Sequence, residues 1–273
     1  MPIASIEGKE PLTIGMFSAS HVVILLIFAA ATAAFFVLIT KFKPKTDKSK
    51  EIVLKIMAVV TFVVHISVIW YWYFAAVRSE TPFKLEPNFL LPLATCNVIA
   101  FFNLVIAFLD KKGRVFKFLA PSCAWLGIIG GVLSVLAGKS GVLDYDAIRS
   151  LTSHLLMFLT GTYLFIAGYV KIRVSNLTSV IAMLLFNGLL GLASMLVTGL
   201  YGMSQNPMWF DDGLIEGIDA TRGWFAALYV VIIVFAFAAV WEWIKIKNPV
   251  DRWYMRLRNF GNGKETEEGN GEE

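Results

Sequence analysis

Charge is what this sequence has least of. Only 16% of its 273 residues are Asp, Glu, Lys or Arg, where soluble domains carry about 25%. With 57% hydrophobic residues and a mean hydropathy of +0.68, that shortage excludes a water-soluble globular chain and identifies an integral membrane protein. Cysteine is scarce as well: Cys96 and Cys123 are the two, too few for a disulfide scaffold. A glycine-rich phosphate loop and a Gly-x-Ser-x-Gly elbow are also missing, so the usual signatures of nucleotide binding and of serine hydrolases are absent. One cysteine and two histidines on separate segments, with no local pair of ligands, give no expectation of a metal site or of any other cofactor.

What is present is a series of long apolar runs. Crossing a hydrocarbon core of about 30 Å takes about 20 mostly apolar residues. Seven runs approach or exceed that length: Phe17–Thr40, Ile52–Val77, Asn88–Leu109, Phe116–Gly138, Ser150–Val170, Thr178–Tyr201 and Trp224–Ile244. The stretch before Phe17 carries Glu7, Lys9 and Glu10 in place of the basic region of a secretory signal, so the first run is expected to remain as a span. The fold expected is all-α, a polytopic seven-helix bundle over residues 1–247. Residues 248–273 are expected to form a cytoplasmic interfacial segment rich in bases and aromatics, followed by a disordered acidic tail.

The basic residues alternate between the two sides. Clusters follow the first span (Lys41 to Lys55), the third (Lys111 to Lys117), the fifth (Lys171 and Arg173) and the seventh (Lys245 onward), and together hold 18 of the 24 lysines and arginines. By the positive-inside rule the N-terminus is expected outside and the C-terminus in the cytoplasm. Depth counting then places Cys96 on the order of 20 Å from the inner end of its helix and Cys123 on the order of 10 Å. Bridged cysteines need Cα atoms within about 7 Å, so two free thiols are expected.

Polar residues inside the spans are the candidates for function, since unpaired polar groups in hydrocarbon are costly. The third span holds Leu91-Pro92-Leu93-Ala94-Thr95-Cys96-Asn97, where Pro92 is expected to kink the helix. Asn88, Pro92, Cys96 and Asn103 recur at spacings of 4, 4 and 7, and Asn187, Gly191, Ser194 and Thr198 at 4, 3 and 4, so each set lies on one helix face. His21 and His154 lie about one turn inside the outer surface, with Cys96 about one turn deeper. His65, deeper in the second span, reads as a structural imidazole bonded to another helix. Gly127 and Gly131 form a GxxxG spacing that lets helix backbones approach closely. If Cys96 and His154 meet, imidazole takes the thiol proton and the thiolate attacks an acyl carbonyl, for which membrane lipid is the natural source. The competing reading is a binding or transport protein in which the same stripes line an outward-facing polar pocket.

The opening Phe17-Ser18-Ala19-Ser20-His21, the segment Leu91 to Asn97 and His154 resemble the YwaF family of seven-helix bacterial membrane proteins and the related eukaryotic transmembrane protein 164 group. The resemblance implies phospholipid acyl transfer or hydrolysis, with Cys96 as nucleophile, His154 as base and His21 in the substrate pocket. Asn97, next to Cys96, and the stripe residues Asn103 and Asn187 are expected in that pocket. The chain departs from the family motif at Ala94, where the family usually has histidine; that departure leaves lipid binding without turnover as an alternative. Partners expected are membrane lipids and no nucleic acid, with self-association left open.

Overall fold

The computed structural model of the chain describes residues 13–14, 18–42, 44–79, 95–137, 141–142, 145–200 and 220–247. They form seven helices, α1 (Ala19–Phe42), α2 (Asp47–Arg78), α3 (Thr95–Phe108), α4 (Arg114–Ala137), α5 (Tyr145–Ile166), α6 (Asn176–Leu200) and α7 (Ala220–Lys247). Two strands, β1 (Thr13–Ile14) and β2 (Gly141–Val142), pair antiparallel, Thr13 opposite Val142 and Ile14 opposite Gly141. That small ladder has no counterpart in the sequence reading, because two residues are too few to display a strand's alternation.

Seven helices were expected and seven occur among the described residues, but they are not equivalent as spans. Among the described residues, Ala19–Phe42, Asp47–Arg78, Arg114–Leu136 and Asn176–Ala193 are long and apolar enough to cross a membrane. Thr95–Phe108 and Leu228–Ile244 are apolar but shorter. At 1.5 Å per residue, α3 measures about 21 Å; the expected start of that span, with Asn88, Leu91, Pro92 and Ala94, lies outside the described residues. So do the loop 201–219 and the expected tail, 248–273.

The exception is α5, which carries Asp146, Arg149 and a run of hydroxyl side chains. Its position explains its composition. It packs most extensively against α4 and then α2, and also touches α3 and α1, so protein surrounds a helix that need not be apolar all round. Polar bonds run down its seam with the antiparallel α2. Tyr145 Oη donates to Ser67 Oγ at 2.8 Å, the Thr61 and Thr160 hydroxyls meet at 3.4 Å, and Tyr163 Oη donates to the Lys50 carbonyl at 3.0 Å. By contrast α1, whose one buried described side chain is His21, exposes Val22, Val23, Leu26 and Ile27, as a lipid-facing helix does.

Close approach fixes α4 against α5. A Cβ on Gly127 would meet the Met157 carbonyl oxygen at 2.8 Å, and one on Gly131 the His154 carbonyl oxygen at 2.8 Å. From the other side, a Cβ on Gly161 would meet the Ala124 carbonyl oxygen at 2.6 Å. Small residues let the two backbones touch, as the GxxxG spacing implied. Helix ends are secured locally. Thr46 and Ser49 form a reciprocal capping box at the start of α2, each bond 3.1 Å. Lys111 Nζ donates to the carbonyls of Ile106, Ala107 and Leu109 at 2.9, 2.8 and 2.7 Å, closing the end of α3. Past α5, Gly168 adopts φ 79°, and the chain turns back so that the Val170 N–H reaches the Leu164 carbonyl. The Glu242 carboxylate accepts from the Val174 N–H at 3.0 Å, tying α7 to the approach into α6.

Candidate functional site

The polar residues of the bundle converge where α2, α3 and α5 meet. Cys96 is the second residue of α3 and half-buried; its Sγ donates to Asn97 Oδ1 at 3.3 Å. From α5, Ser153 Oγ meets His65 Nδ1 at 3.1 Å. Arg149 Nη1 donates to the His65 carbonyl at 3.1 Å while its guanidinium is paired with Asp146. Hence His65 bonds α2 to α5 through both its ring and its backbone carbonyl. The edge-on Phe62–Phe101 pair, with ring centroids 5.1 Å apart, packs α2 to α3 one turn from this cluster.

His154 adjoins Ser153 on α5 and acts electrostatically on the His65 ring. Its Nδ1 lies 2.7 Å from the Ser150 carbonyl oxygen. Because a carbonyl only accepts, Nδ1 carries the proton and a neutral ring keeps its lone pair on Nε2. The Gly131 contact with the His154 backbone pins the imidazole's position along the helix. His154 is thus held at its base, with its Nδ1–H on the Ser150 carbonyl.

His21 is 1% exposed, and its Nε2 donates to the Val135 carbonyl on α4 at 2.8 Å. Val135 lies one turn beyond Gly131, which faces the His154 carbonyl on α5. Ser18 Oγ accepts from the His21 N–H at 3.2 Å. These bonds make His21 the tether of α1 to α4. Asn103 and Asn187 stand apart from the Cys96 cluster. Both are 0% exposed, and neither side-chain amide has a hydrogen-bond partner among the described residues. Their neighbours Phe102 and Phe186 meet edge-on at 6.0 Å, which brings α3 and α6 together at that depth. Gly191 is buried on the same α6 stripe; the side chains of Ser194 and Thr198 lie outside the described set.

Both cysteines are free thiols. Cys123 is fully buried in the apolar core, where it packs as a small hydrophobe. No group of three or more His, Cys, Asp or Glu able to hold a metal occurs among the described residues.

The residue that sequence reasoning left out is His65. Its bond to another helix was anticipated, but its double attachment to α5, through Ser153 and Arg149, was not. A signal for it exists: Thr61 and His65 are four apart on α2, Ser153 and Thr160 seven apart on α5, and these two pairs interlock.

Helices long and apolar enough for several crossings, with a more polar helix bonded to α2 through Ser153 and His65, define a multi-pass membrane protein. The chain matches the TMEM164 family over residues 16–212, most of its length, and belongs to that family. No match was found among curated proteins or among solved structures.

Proposed function

We propose that this protein modifies membrane lipid by acyl transfer or hydrolysis on phospholipid, with Cys96 as nucleophile and His154 as general base. The observation that carries the reading is the tautomer of His154, whose Nδ1–H is held by the Ser150 carbonyl; α3 supplies Cys96 as a half-buried thiol. Family membership supports the substrate class.

In this scheme His154 Nε2 takes the Cys96 proton as Sγ attacks the ester carbonyl carbon of a phospholipid. The ester C–O bond breaks, and the lysolipid oxygen leaves with the proton held on His154. The resulting thioester is resolved by a lipid hydroxyl in transfer or by water in hydrolysis, with His154 now deprotonating that acceptor. His21, Asn97, Asn103 and Asn187 are assigned to the substrate pocket. The positive-inside distribution of lysine and arginine puts the site toward the outer leaflet, with the N-terminus outside and residues 248–273 in the cytoplasm.

The test is Cys96→Ala, with purified protein in phosphatidylcholine vesicles carrying a labelled acyl chain and whole-cell lipidomics alongside. Acyl transfer or release by the parent and loss of it in the variant is the expected outcome; identical acyl profiles sink the catalytic reading. A second reading, an outward-facing pocket that binds or transports a solute without chemistry, is favoured by the unpaired amides of Asn103 and Asn187, since such groups line polar paths. Uptake of labelled solute into proteoliposomes, retained by Cys96→Ala, supports it.

A further inference from the structure

The helix that bears Cys96 and the helix that bears His154 touch each other little, whereas α2 packs extensively against both. Its fastenings to the two lie one turn apart. Toward α3, the Phe62 ring meets Phe101 edge-on, with centroids 5.1 Å apart. Toward α5, His65 makes two bonds. Its ring Nδ1 lies 3.1 Å from Ser153 Oγ, and its backbone carbonyl accepts from Arg149 Nη1 at 3.1 Å, the guanidinium being paired with Asp146.

The two residues that His65 grips, Arg149 and Ser153, are four apart and share one face of α5. Each is followed directly by a member of the pair that orients the imidazole: Ser150, whose carbonyl takes the Nδ1–H at 2.7 Å, and His154 itself. That second pair lies about 100° round the helix. From α4, Gly131 abuts the His154 carbonyl, a steric contact that limits approach more than rotation. Hydrogen bonds are directional and resist both. The bonds to His65 therefore set the rotation of α5 about its axis, and with it where the His154 ring stands relative to α2 and α3.

We infer that His65 is a positioning residue for His154: it locks the outer turns of α5 to α2 and so fixes the imidazole relative to the Cys96 thiol. The inference rests on Cys96 and His154 acting as the proposed pair. Misplacing a catalytic group by about 1 Å costs on the order of 10²-fold in rate, so the lock acts on the chemical step and not on the binding of lipid.

The experiment has two readouts, both on the full chain. In labelled phosphatidylcholine vesicles, His65→Leu is expected to lower kcat about 10²-fold with KM unchanged. His65→Asn, whose amide stands where Nδ1 stood and can bond Ser153, is expected to recover most of that loss although it fills less space. Thr61→Val, which removes the neighbouring α2–α5 bond to Thr160, is expected to keep the parent kcat. The second readout needs no turnover. With Cys123→Ala and His154→Cys as background, a short bismaleimide is expected to join positions 96 and 154; adding His65→Leu slows that cross-link about tenfold, and His65→Asn restores it. Equal kcat in the Leu and Asn variants, or a cross-linking rate indifferent to His65, overturns the inference. Absence of any cross-link with His65 in place overturns instead the pairing of Cys96 with His154. An inactive parent sinks the lipid reading, and the cross-link then decides the positioning role by itself. Should His65→Leu not fold, Ser153→Ala takes its place: slower cross-linking supports the inference and the parent rate overturns it.

Discussion

With His154 Nδ1 occupied by the Ser150 carbonyl, the proposed base function resides in a single atom, Nε2. His154→Gln keeps bulk and polarity but offers no base of comparable strength, and lipid turnover is expected to fall roughly 10²- to 10⁴-fold, read as single-turnover acyl release from labelled vesicles. Asn187 presents the opposite case. Its amide is fully buried without a partner among the described residues, and an unsatisfied buried polar group costs about 1–3 kcal/mol. Asn187→Leu is accordingly expected to raise the unfolding temperature in micelles while weakening lipid turnover, the exchange of stability for function found at binding sites. Lower stability together with unchanged turnover would remove Asn187 from the pocket. Depth counting along single helices put His21 and His154 each about one turn inside the outer surface. It could not find the role of His65, because the partner that defines it, Ser153, arrives from another helix.

At the scale of elements, α5 is where sequence reading and structure differ most in emphasis. Counted by apolar length it was one span of seven, yet it packs against α4, α2, α3 and α1, and the residues that weaken its hydropathy are those that bond α2. Its contact with α4 rests on backbone approach. Gly131→Ala is expected to destabilise the protein by about 1–3 kcal/mol, because the added methyl meets the His154 carbonyl oxygen at 2.8 Å and the Phe158 Cβ at 2.6 Å. The same substitution shifts the His154 backbone, so turnover is expected to fall further than the stability loss accounts for. Gly130→Ala is the control: a Cβ there has nothing within 4 Å, and its unfolding temperature is expected to match the parent. The GxxxG spacing was legible because glycine's small size has one dominant use between membrane helices. The β1–β2 ladder was not, since pairing between backbones leaves no mark on side-chain pattern.

For the molecule as a whole, composition alone decided the class, and the alternation of apolar runs with lysine clusters gave the order of the helices. What composition could not supply was the arrangement of the helices around α5, which depends on which polar faces meet. The sidedness read from lysine and arginine makes its own forecast. A tag at the C-terminus is expected to be shielded from protease in intact cells and to be cleaved once the inner face is opened. A tag at the N-terminus is expected to behave in the reverse way. Cleavage of the C-terminal tag in intact cells would invert the assignment and move the Cys96 site to the inner leaflet.

The tethering of α1 has a consequence for the order of assembly. The one buried described side chain of that helix, His21, bonds a carbonyl on α4, and the strand preceding the helix pairs with β2, which follows α4. Both anchoring partners are therefore synthesised only after α2, α3 and α4. Helix α1 must therefore rest in lipid by its apolar surface until α4 has been made; contacts this distant along the chain close late. A chain stopped before residue 130 is thus expected to leave α1 free to exchange with neighbouring proteins in the bilayer, and one extended past residue 142 to capture it.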